Sequence, residues 1–138
     1  MEKRIVNQPE TLDGYRVVQE GEEIFKALQN NETVMHWESG NSMHPILMNM
    51  EYCKIIPMDK EDIVAGMPVF CRFYYRNNEG QLNCIYMVHR CTEVIKRDEE
   101  FYFRIEGTDG TFFGWTKDVY GVAESTNVFQ DDSAFFNF

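Results

Sequence analysis

From residue 33 onward the chain is a succession of short segments rich in β-branched and aromatic residues. They cover 33–38, 52–56, 69–75, 82–88, 91–96 and 101–105. Turn clusters break the series, among them Asn77-Asn78-Glu79-Gly80 and Arg97-Asp98-Glu99-Glu100. Val, Ile, Thr and aromatic side chains suit a pleated, half-buried surface, while Gly, Asn and Asp supply the backbone freedom of a reversal. The pattern predicts a mainly β fold, a coiled sheet or partly open barrel.

One helical pattern precedes the strands. Val17, Ile24, Phe25 and Leu28 fall at i, i+7, i+8 and i+11, one face of a 3.6-residue repeat, with Gly21 on the same face. This predicts an N-terminal helix that covers the sheet and stops at Asn30-Asn31, because Asn tolerates the left-handed conformation. Residues 1–15 are polar, carry Pro9 and Gly14, and read as a loose lead-in or edge segment. Residues 125–138 form an acidic-aromatic tail, in which Phe135, Phe136 and Phe138 follow Asp131 and Asp132. Its expected place is against the domain's own apolar surface; the other reading is docking on a protein partner through the three phenylalanines.

A length of 138 residues suits a single domain, and a 43% apolar content is enough for a packed core. Thirteen Lys and Arg against 23 Asp and Glu give a net charge of −10, which argues against nucleic acid and anionic membrane surfaces as partners. No stretch approaches the ~18–20 apolar residues of a membrane span, and the N-terminus lacks the apolar run of a secretory signal. The expectation is a soluble, cytoplasmic protein. Cys53, Cys71, Cys84 and Cys91 form no Cys-x-x-Cys pair and read as reduced thiols that pack on strands.

Two elements carry chemistry. Ser39-Gly40-Asn41-Ser42-Met43-His44-Pro45-Ile46-Leu47 follows a predicted strand, and a Ser braced by an apolar Met and a Pro is rigidly presented. Tyr86-Met87-Val88-His89-Arg90 ends another strand with an imidazole beside a cation. A serine hydroxyl needs a base before it attacks, and histidine is the side chain suited to that near neutral pH. His36 reads as a satisfied polar group. His44 reads as exposed or in contact with substrate. His89 and Cys91, two apart on a strand, lack the second pair that zinc would need, so neither a metal nor a cofactor is expected. Met43, Met48 and Met50 line an apolar cleft or fill the core.

Taken in order, these boxes resemble the type I signal peptidase and SOS-repressor peptidase superfamily. Residues 39–47 look like its Ser-x-Ser-Met-x-Pro-Thr/x-Leu nucleophile box, and Val88-His89-Arg90 is similar to the Val/Leu-His-Arg box of its histidine-type branch. That branch includes short soluble bacterial and phage relatives. Residues 62–70 resemble the family's Gly-Asp-Ile/Val-Val-x-Phe strand, with Met67 in place of an acid. Gly107-Thr108-Asp109-Gly110 lies where the family carries Gly-Asp-Asn, and 118–122 resembles its closing segment. The resemblance runs from about residue 20 to about 124 and implies a signal peptidase-like fold and a serine endopeptidase acting on a polypeptide. Ser42 would be the nucleophile and His89 the general base. The backbone N–H of Ser42, with a donor near Gly40, would form the oxyanion site, and Met43 and Pro45 would shape it. Thr108 stands where the catalytic branch has its Asp. Asp109 then either reaches His89 through a one-residue loop adjustment or caps the Asp109-Gly110 turn. The alternative function is a non-catalytic binding or assembly protein that retains the fold. Self-cleavage fares worse, since Ala65-Gly66 lies downstream of Ser42 in a predicted core strand.

Overall fold

Most of the β segments join one nine-stranded sheet in a computed structural model that describes residues 3–5, 8–38, 50–129 and 135–137. Its strands are β2 (Thr11–Leu12), β3 (Tyr15–Val17), β4 (Val34–Glu38), β5 (Glu51–Pro57), β6 (Pro68–Arg76), β7 (Leu82–Arg97), β8 (Glu100–Glu106), β9 (Phe112–Thr116) and β10 (Val119–Phe129). The spatial order is β2-β3-β4-β5-β10-β6-β7-β8-β9. Only β3 and β4 run parallel, so the sheet is mixed, and it does not close into a barrel. β1 (Lys3–Ile5) pairs separately with β11 (Phe135–Asn137). The fold is therefore mainly β with one α-helix, as the residue pattern implies.

Helix α1 spans Gly21–Gln29 and buries Ile24, Ala27 and Leu28. Burying Ile24 and Leu28 stabilises the fold by ~1.5–3 kcal/mol each. Glu22 and Glu23 lie in the first turn and Lys26 in the last, matching the helix dipole. Asn31, at φ 58°, takes the left-handed conformation just past the helix end. Val17 is not on the helix: it sits in β3, paired with Met35 of β4. The apparent helical spacing joined a strand residue to a helix, and Glu20, in extended conformation, begins the helix after it.

The helix packs on a core of Val18, Val34, Ile55, Phe70, Val88 and Ala123. A second core gathers Val69, Cys71, Cys91, Phe103, Ile105 and Val119. Neighbours along β6 divide between them: Phe70 joins the first while Val69 and Cys71 join the second, as period-2 alternation requires. Strand β10 lies between β5 and β6, with Val122 opposite both Ile56 and Val69.

Two further readings need correction. The segments 82–88 and 91–96 are one strand, β7, with a register shift between Cys91 and Glu93. Ala65-Gly66 is not in a core strand. It forms an exposed turn before β6, where Gly66 adopts φ 104° and its N–H donates to Cys91 O at 2.7 Å. Within the lead-in, Thr11–Leu12 and Tyr15–Val17 pair through a two-residue Asp13-Gly14 turn, both residues at positive φ, and form one edge of the sheet. Of the tail, the backbone of Phe135–Asn137 pairs with Lys3–Ile5; Phe138 lies outside the described residues. No helix among the described residues is long and apolar enough to cross a membrane.

Candidate active site

β7 places His89 at the wall of a cleft of about 320 Å³, shared with Gln19, His36, Glu38, Tyr86 and Val88. β4 and β7 are not neighbours in the sheet, since β5, β10 and β6 lie between them. Curling of the sheet brings one end of β4 to the His89 region. Helix α1 fixes the spacing on the β7 side: Gly21 approaches Tyr86 so closely that an added Cβ would lie 2.5 Å from the Tyr86 Cβ and Cγ. Val88, 5% exposed, anchors the strand in the first core.

His89 itself is 9% exposed. Its ring stacks on Phe113 of β9, centroids 4.1 Å apart and planes 15° apart. Burial holds its pKa below the ordinary histidine value, while the carboxylates of Glu38 and Asp109 pull it upward. Burial wins, because removing an imidazolium from water costs more than two partly screened charges return. The Nδ1 atom is buried and has no hydrogen-bond partner among the described residues, and the same holds for Arg90 Nε.

Asp109 lies in the loop between β8 and β9. Its Oδ1 accepts the Thr111 N–H at 3.0 Å, and Gly107 N–H donates to Thr111 O at 2.9 Å. These bonds, with its neighbour Gly110 at φ 89°, make a compact turn. They hold the Asp109 carboxyl below its usual range, helped by the nearby His89. Asp109 is thus an electrostatic neighbour of His89, but the hydrogen bond to Nδ1 that a catalytic triad requires is not formed. Its carboxylate serves the turn instead.

On the opposite wall, His36 and Glu38 alternate onto one face of β4. His36 Nδ1 lies 2.9 Å from Val18 O and its Nε2 lies 2.9 Å from Glu38 Oε1. A carbonyl only accepts, so Nδ1 carries the proton of that bond, and Nε2 faces the Glu38 carboxylate. His36 is a satisfied polar group, as its strand position suggests. Gln19 fixes the same strand by accepting the Trp37 N–H at 2.8 Å and donating to Trp37 O at 3.2 Å.

Ser42, Gly40, Met43 and Pro45 lie outside the described residues, as do His44 and Met48. The segment that carries them starts immediately after Glu38, and the chain is described again from Met50. Glu51, at the start of β5, is 0% exposed. It accepts the N–H groups of Thr126 and Asn127 at 2.9 and 3.0 Å and the hydroxyl of Ser125. That tie fixes the point where the chain re-enters the sheet.

Glu38 and Phe113 are the neighbours of His89 that sequence reasoning missed. The His36-x-Glu38 spacing on a predicted strand was the available signal for the first; nothing local marked the second. Cys91 is buried and donates to Glu93 O at 3.5 Å, and the described residues contain no cluster of three metal-ligating side chains. A larger cleft, about 600 Å³, lies at the C-terminal end of α1 beside Leu28, Met58, Asp59 and Tyr120. Its lining includes neither an imidazole nor a thiol. No family model, curated protein or solved structure matches the chain.

Proposed function

We propose that the chain is a serine endopeptidase-like protein that cleaves a polypeptide, with Ser42 as nucleophile and His89 as general base. The observation that carries this reading is the placement of His89: a buried imidazole on the wall of a cleft bordered by Glu38, its pKa held below the ordinary histidine value by burial. A base must be unprotonated to accept the serine proton, and lowering a histidine pKa secures that. Residue 39, the first of the nucleophile box, follows Glu38 directly. In the proposed reaction Ser42 Oγ attacks the scissile carbonyl carbon as His89 takes its proton. The developing oxyanion is met by the Ser42 N–H and a donor near Gly40, and His89 then protonates the leaving amine. Water hydrolyses the acyl-enzyme by the same steps in reverse order.

A fluorophosphonate probe, which phosphonylates activated serines, tests the reading together with mass spectrometry of a peptide mixture. Wild type is expected to be labelled at Ser42 and to cleave peptides, and Ser42→Ala and His89→Ala to lose both by roughly 10³-fold or more. Equal behaviour of all three proteins removes the catalytic claim.

The bond from Thr111 to Asp109 favours a second reading, a binding or assembly protein built on the same scaffold. It predicts that wild type and both variants capture the same polypeptide without cutting it.

A further inference from the structure

We infer that Glu38 is the acidic partner of His89, a positioning residue that acts on the imidazole through its charge across the cleft and not through a bond to Nδ1. The inference rests on the peptidase reading of His89 and extends it. Both side chains line one cleft, from strands with three others between them in the sheet. Glu38 is held there from behind: Val18 O fixes His36 Nδ1, and His36 Nε2 binds Glu38 Oε1. That contact engages one oxygen of the carboxylate. The Glu38 side chain is 29% exposed, so its charge is only partly screened by water.

Among the described residues, the charged and titratable groups around His89 come from three elements. β4 supplies His36 and Glu38, the β8–β9 loop supplies Asp109, and β7 supplies Tyr86 and Arg90. Of the two carboxylates, Glu38 exerts the larger upward pull on the His89 pKa. Asp109 is committed to the Thr111 N–H and is fully exposed, so its pull is the more screened. When His89 accepts a proton, the new imidazolium therefore meets the Glu38 carboxylate first. The His36 contact makes that carboxylate the middle member of a His36–Glu38–His89 series. His36 then sets the direction of the carboxylate without touching the reacting atoms.

The test is an NMR titration of the His89 ring nitrogens in the full chain, in wild type, Glu38→Gln, Glu38→Asp and Asp109→Asn. Glu38→Gln is expected to lower the His89 midpoint, Glu38→Asp to keep it near wild type, and Asp109→Asn to lower it less than Glu38→Gln. An unmoved midpoint in Glu38→Gln, or a larger fall in Asp109→Asn, overturns the inference. Wild type gives a second reading that needs no variant to fold: the Glu38 side-chain carboxyl carbon should inflect at the His89 midpoint more strongly than that of Asp109. The reverse order overturns the inference. Fluorophosphonate labelling separates the two proposals. With an active Ser42, Glu38→Gln should slow labelling roughly 10-fold or more while Glu38→Asp restores much of it. Wild type that resists the probe yet shows the coupling retains the Glu38–His89 pair and loses the peptidase reading. Labelling with no coupling does the opposite.

Discussion

His89 and Phe113 lie ring against ring across β7 and β9, with centroids 4.1 Å apart, although they stand 24 positions apart in the chain (113 minus 89). The edge strand thereby lids the imidazole. Phe113 remains 37% exposed, so it shields His89 while belonging to the surface itself.

Phe113→Ala should uncover the ring. Water regains access to the imidazolium, and the His89 midpoint should rise toward the ordinary histidine value in an NMR titration. The stability loss should be modest, about 1 kcal/mol, because the side chain is only partly buried. A midpoint that stays low would show that other walls of the cleft keep the ring dry.

Acid should weaken the fold through the same histidine. The folded value lies below the ordinary 6.5, so as pH falls the unfolded chain takes up the proton first. The contribution of His89 is fully present above 6.5 and is lost as pH drops through its lowered folded value. Urea unfolding of wild type and His89→Gln at about pH 7.5 and about pH 5 should show the larger acid loss in wild type. Equal losses would place the acid sensitivity elsewhere.

Glu51→Ala should be costly. The substitution leaves the Thr126 and Asn127 N–H groups and the Ser125 hydroxyl without the carboxylate that now accepts them. A loss of about 2–4 kcal/mol in urea unfolding is expected, with a smaller loss for Glu51→Gln, which keeps one acceptor oxygen.

Gly21→Ala should destabilise, although alanine is the better helix former by ~1 kcal/mol. The new methyl would lie 2.5 Å from Tyr86, so helix and strand must part or the ring must turn. The expected net cost is about 1–3 kcal/mol by thermal or urea unfolding. A stabilised variant would mean that Tyr86 yields easily.

Much of the sheet was legible because each strand carries its own local signal. Val34, Ile55 and Phe70 lie in β-branched or aromatic runs bounded by turn residues, and those runs became β4, β5 and β6. The unity of β7 was not legible: its register shift beside Cys91 lets one strand look like two. Strand β9 was missed because Phe112 and Phe113, side by side, break the alternation that marks a half-buried strand. At the cleft, the imidazole of His89 stands out in the sequence beside Arg90 at a strand end, whereas Glu38 does not. Its meeting with His89 depends on how far the sheet curls between β4 and β7, a property of several strands together that no single window of sequence displays.

The position of β10 has a consequence for how the chain is made. β5 and β6 are separated by the strand at Val119–Phe129, which follows both by more than 40 residues (119 minus 76 is 43). As the chain leaves the ribosome, the halves built on β5 and on β6 have no common neighbour until that strand arrives. Their facing edges stay open meanwhile, and sealing them closes long loops, a slow step that favours a late, all-at-once transition. A nascent chain halted near residue 110 should therefore present two unmated sheet edges to the chaperones around it.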